Sequence, residues 1–125
     1  MKFLLAIVFA LPFSSFAGNF ASCELFAFTF TTSNGKAYKL IDSARLGNKW
    51  VTLLNKDITL KQTVDPVSYL ANFSLDGSIS GSLTVKGDQT LKVSDTVSLF
   101  EALELEVEEK YNHGKILYKL QCGIE

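Results

Sequence analysis

The chain has 125 residues, with 12 basic against 13 acidic side chains and one histidine, for a net charge of −1. That length holds one domain and leaves no room for a second. Charged residues at 20% and hydrophobic residues at 47% exclude global disorder, and the near-neutral balance supplies no basic footprint for nucleic acid.

Residues 1–17, MKFLLAIVFALPFSSFA, open on Lys2 and continue as an apolar run from Phe3 to Leu11 that Pro12 breaks. Ser15 and Ala17 place small residues where a cleavage site needs them. This three-part pattern predicts a signal peptide over 1–17, too short for a membrane helix, and a mature β domain over 18–125. Its removal takes Lys2 and leaves 11 basic against 13 acidic side chains, a net charge of −2. Hydrophobic content falls to about 43%. No second apolar run of membrane-spanning length follows, so the expected product is exported, periplasmic or secreted, without a membrane span.

The rest reads as short alternating runs between turn signals, the mark of an all-β chain. Ser22 to Ser33 is the first predicted strand, rich in Phe and Thr, and Asn34-Gly35 is a hairpin turn. Lys36 to Asp42 follows. Leu46-Gly47-Asn48 is a predicted loop, and Lys49 to Leu54 a strand carrying Trp50. Asn55-Lys56-Asp57 turns into Ile58 to Gln62, and Asp65-Pro66 punctuates because proline cannot donate to a central ladder. Val67 to Phe73 and Ser78 to Val85 form a hairpin. A three-residue loop, Leu75-Asp76-Gly77, pairs Phe73 with Ile79, Tyr69 with Leu83 and Val67 with Val85. It puts Gly77 where a bulge wants positive φ. Lys86-Gly87-Asp88 turns into Thr90 to Val93.

The segment from Thr96 to Tyr111 is rich in helix formers. Its leucines and Val107 nevertheless fall on odd positions, and Glu104, Glu106 and Glu108 on even ones, so its period is 2 and a strand is predicted, with room for a helical turn near Phe100. Glu101 breaks the parity, which calls for a bulge between Phe100 and Ala102 or an inward carboxylate. A two-residue loop at His113-Gly114 then pairs Val107 with Leu120, Leu105 with Cys122 and Glu108 with Lys119, leading into a last strand from Lys115 to Cys122.

Cys23 and Cys122 lie near the two ends of the mature chain, and a bond between them closes a loop of 100 residues. Export permits that disulfide. Phe20-Ala21-Ser22-Cys23 loosely follows a lipobox, the alternative being a lipid anchor at Cys23. Phe at the position normally held by Leu, the lack of a polar tether and the stranded Cys122 thiol weigh against it. A disulfide between the first and last strands suits a small antiparallel β-barrel of about seven or eight strands in mostly meander order, with a two-sheet sandwich as the alternative.

Chemistry-bearing patterns are sparse. His113 sits in a turn without an orienting partner, and no phosphate loop, zinc spacing or calcium loop occurs. Glu101 with Asp95 is a carboxylate pair with nothing to fix its geometry. No cofactor, metal site or catalytic residue is expected. The acidic run Glu101, Glu104, Glu106, Glu108 and Glu109 reads as a solvated strand face balanced by Lys110, Lys115 and Lys119 rather than a cation site. The first strand poses a conflict. Phe26, Phe28 and Phe30 share one face, while Cys23, Leu25 and Ala27 share the other. Inward cysteines send the Phe stripe outward, where it is a partner-binding patch. A bend between Cys23 and Phe26 returns it to the core, and it is favoured because a disulfide at a strand end need not obey strand parity. The functional expectation is an exported, non-catalytic interaction module, binding a protein partner or inhibiting an enzyme. The alternative is a carrier of small hydrophobic ligands, its interior lined by Phe26, Phe28, Phe30, Trp50 and Tyr69. The loops at Leu46-Gly47-Asn48 and Lys86-Gly87-Asp88 are the expected inhibitor loops.

Overall fold

The computed structural model describes residues 20–32, 37–53, 56–98 and 101–124. The predicted signal peptide, the predicted Asn34-Gly35 turn and the turn or bulge expected near Phe100 fall on residues outside those described. Eight strands are present: β1 (Phe20–Thr31), β2 (Lys39–Thr52), β3 (Ile58–Val64), β4 (Val67–Phe73), β5 (Ile79–Lys86), β6 (Thr90–Val97), β7 (Leu103–Tyr111) and β8 (Gly114–Ile124). No helix occurs among the described residues.

The strands form two four-stranded antiparallel sheets, in the orders β2-β1-β8-β7 (sheet A) and β3-β4-β5-β6 (sheet B). Chain order is therefore kept around the fold, with β1 against β8. No ladder joins β2 to β3 or β6 to β7, so the sheets do not close on one another. Both contribute to one core. Leu25, Leu103 and Leu120 come from sheet A, and Val67, Phe73, Ile79 and Leu83 from sheet B. Alternation produces this core directly: Val67, Tyr69, Ala71 and Phe73 are buried while Ser68, Leu70 and Asn72 between them point away.

Cys23 and Cys122 stand opposite each other in the β1–β8 ladder and are disulfide-bonded, with Cα atoms 4.1 Å apart. Both are buried. The bond links the first strand to the last and fits an oxidising compartment. The sulfur that a lipid anchor at Cys23 requires is bonded to Cys122.

The β4–β5 hairpin has the expected register, with Phe73 opposite Ile79, Tyr69 opposite Leu83 and Val67 opposite Val85. Gly77 adopts φ 89°, a conformation that glycine enters without steric cost. Ser74 N–H donates to Ser78 O at 2.9 Å and Gly77 N–H to Ser74 O at 3.0 Å, closing the three-residue loop.

Four expectations are corrected. The β7–β8 turn is Asn112-His113, with Tyr111 opposite Gly114. Val107 thus faces Tyr118, Leu105 faces Leu120, and Glu106 rather than Glu108 faces Lys119. The shift is two residues, so every side chain keeps its face. Its cause is tertiary: a Cβ on Gly114 would run into the carbonyl oxygen of Phe30, so this glycine serves the close approach of β8 to β1. Leu46-Gly47-Asn48 is not a loop. β2 runs through it, opposite an uninterrupted β1, and absorbs the misfit as register shifts between Leu25 and Phe26 and between Thr29 and Phe30. The Gln62 side chain occupies the space beside Gly47 and accepts a hydrogen bond from Tyr69 Oη at 3.1 Å. Glu101 is not the inward carboxylate of the second alternative, while the bulge of the first falls partly outside the described residues. Glu101 is exposed in the connection before β7, with its N–H donating to Ser98 O at 3.3 Å. Finally, β1 does not bend: its pairing with β8 is continuous from Ala21 to Thr31.

Candidate interaction face

The unbroken β1 decides where the Phe stripe points. With Ala21, Cys23 and Leu25 buried, strand alternation turns Phe26, Phe28 and Phe30 to the outer face of sheet A. None of the three belongs to the core. They are half-buried by their strand neighbours, and the Phe26 and Phe28 rings stack at 6.2 Å. Trp50 opposes Ser22 on the same face. It is 64% exposed and meets Phe20 edge-on at 5.5 Å. Tyr69, the fifth candidate, is 4% exposed inside the core, where burial pushes its phenol pKa up. The five residues therefore do not line one interior. Four share an outer face, and only Tyr69 faces inward.

The face can be read row by row across β2, β1, β8 and β7. Arg45, Phe26, Lys119 and Glu106 form one row, and Ser43, Phe28, Leu117 and Glu108 the next. Leu40, Phe30, Lys115 and Lys110 follow, while Asn48, Glu24, Gln121 and Glu104 lie on the other side. An aromatic stripe thus runs beside a lysine-bearing strand and then an acidic edge. Lys115 is held from three sides. Its Nζ lies 5.3 Å from the Phe30 ring centre and 4.3 Å from that of Tyr38, and it donates to Glu108 Oε2 at 2.8 Å. That hydrogen bond holds the Glu108 carboxyl below the ordinary carboxylate range. Lys119 lies 3.8 Å from Glu104 and 3.9 Å from Glu106, and Arg45 pairs with Glu24 at 3.0 Å. Such exposed pairs contribute about 0–1 kcal/mol each, so they set charge pattern more than stability. The acidic run is a solvated face as expected, except that Glu109 turns inward. It accepts from Tyr111 Oη at 2.9 Å, and burial followed by this bond pushes the Tyr111 pKa up to about 12.

Lys115, Leu117, Tyr38 and Leu40 escaped the sequence reading as members of this face. The alternation of β8 carries the signal for the first two, but only the β1–β8 ladder puts them beside the phenylalanines. Other candidates stay scattered. His113 is exposed in its turn, where its carbonyl accepts from Thr31 Oγ1 and Thr32 N–H. Asp95 and Glu101 are both exposed. Among the described residues no group of three or more His, Cys, Asp or Glu could hold a metal. Lys86 ends β5, and Gly87 turns beside the Glu109 carboxylate.

The outer face of sheet B is different. Thr63, Ser68, Thr84 and Lys92 share a row, as do Thr59, Asn72, Ser80 and Thr96. It bears hydroxyls and no aromatic ring, and an open groove over Lys61, Thr63, Ser68, Leu70, Ser82 and Thr84 follows it. No family model, curated protein or solved structure matches this chain.

Proposed function

We propose that this chain is an exported, non-catalytic interaction module that engages a protein through the outer face of sheet A. One observation carries the reading: an aromatic stripe stands on the solvent side of a sheet whose inner side already fills the core. Phe26, Phe28 and Phe30 stand outside the core, half-buried among their strand neighbours, and a clustered aromatic surface is what association uses. The pattern of 1–17 supports export, and the buried disulfide accords with it. In architecture we read the fold as a flattened sandwich rather than a closed barrel, because two seams lack a ladder.

The test compares the mature protein with a Phe26→Ser/Phe28→Ser variant and a Thr84→Lys control on sheet B. Each is immobilised and exposed to the exported fraction of its source cell. The control should retain the partner and the double variant should lose it, with both circular dichroism spectra unchanged. Equal capture by the two variants would refute the assignment of the face.

A further inference from the structure

We infer that the partner of this face is a second copy of the chain, docked sheet to sheet about a two-fold axis parallel to the strands and midway between β1 and β8. This rests on the reading that the outer face of sheet A is the interaction surface. The support is that the face is complementary to itself under this axis. The operation lays β2 on the other copy's β7 and β1 on its β8, at equal heights. Ser43, Arg45 and Asn48 then stand over Glu108, Glu106 and Glu104, three hydrogen-bond donors against three carboxylates. Phe28 meets Leu117, while Phe26 and Phe30 meet the stems and ammonium groups of Lys119 and Lys115, contacts that cover apolar area and add cation–π attraction.

Neighbouring axes fail. A two-fold along β1 lays β2 on β8 and drives Arg45 onto Lys119. A two-fold across the strands lays β7 on β7 and opposes the glutamates. Aligned sheets cross at about 30°, which displaces the outer strands by about 4 Å, near one residue. Arg45 then still lies over the acidic row, so the match tolerates the twist. The extent lies at the lower end for a specific interface. Four strands at about 4.8 Å and about nine residues at 3.3 Å give a flat footprint near 600 Å², before side-chain relief, against the roughly 800 Å² per partner of a standard interface. Isologous contacts of this kind close at two copies.

Sedimentation velocity on the disulfide-bonded protein, 18–125, from about 1 to 200 µM covers the range in which such an interface associates. The expected result is a concentration-dependent dimer. Arg45→Glu and Glu106→Arg should each weaken it by about tenfold or more, and the double exchange should restore it to within about threefold of wild type. Both positions are exposed, and thermal melts check that the variants fold. A monomer throughout the range overturns the proposal, as does a dimer that the single exchanges leave unchanged or the double exchange fails to restore. If the chain stays monomeric while Phe26→Ser/Phe28→Ser abolishes capture of another exported protein, the second copy is refuted and the interaction face stands.

Discussion

Replacing both cysteines by alanine removes a covalent tie whose value follows from the topology. Cys23 and Cys122 are separated by 99 positions, and the chain-entropy relation for a closed loop of about 100 residues gives roughly 4.7 kcal/mol at 25 °C. Alanine is the right replacement, because both side chains are buried among Leu25, Leu103 and Leu120 and a serine hydroxyl there would lose its hydrogen bonds to water. At roughly 4–8 °C per kcal/mol for a domain near 100 residues, the double variant should melt about 20 °C or more below wild type. Its spectrum at low temperature should remain that of a β-sheet protein, since the β1–β8 ladder from Ala21 to Thr31 has ten pairs besides Cys23–Cys122. Far-ultraviolet circular dichroism and calorimetry give the two melting points. A drop under about 5 °C would refute the reasoning, since it would mean that the unbridged unfolded chain is nearly as restricted as the bridged one.

Phe73→Ala should cost about 3–5 kcal/mol in urea unfolding, and Phe28→Ala under about 1.5 kcal/mol, because Phe73 is 1% exposed in the core and Phe28 lies outside it; equal costs would return the stripe to the core. Gly114→Ala should destabilise by about 1–3 kcal/mol, since its Cβ meets the Phe30 backbone, whereas Gly123→Ala, with nothing within 4 Å of the added carbon, should be near neutral by the same unfolding assay. Glu108 has a lowered pKa in the folded state, first through its hydrogen bond from Lys115. Its contribution is therefore present above the unfolded carboxylate pKa and lost as pH falls through the folded value. Melting points of wild type and Glu108→Gln should differ at pH 7 and converge in acid below the ordinary carboxylate range; a constant gap from neutral to acid would count against the pair. Tyr111, raised to about 12 by burial and by Glu109, should ionise earlier in Glu109→Gln, as read by tyrosinate absorbance.

Much of the fold is legible from local chemistry alone. Alternation marks which residues of β4, β5, β7 and β8 face inward, because a strand's period of two needs no knowledge of its neighbours. Gly77 announces a three-residue loop, and with it a whole hairpin register, since loop length and backbone sign fix the pairing. The two cysteines, if paired, imply that the first and last strands meet, as they do. Three features needed the tertiary structure. Gly114 reads as a turn residue, yet it is small because β8 crosses close to Phe30, and the turn moves to Asn112-His113. Leu46-Gly47-Asn48 reads as a loop, yet pairing with a continuous β1 draws it into β2. The direction of Phe26, Phe28 and Phe30 is ambiguous along the strand, because a stripe of large apolar residues satisfies either a core or a contact surface. Only the ladder from Ala21 to Thr31, which keeps Cys23 and Leu25 inward without a bend, settles it. Composition and period specify which residues share a face. Long-range pairing decides which side of the sheet that face is on, because only the packed second sheet distinguishes the two sides of the first.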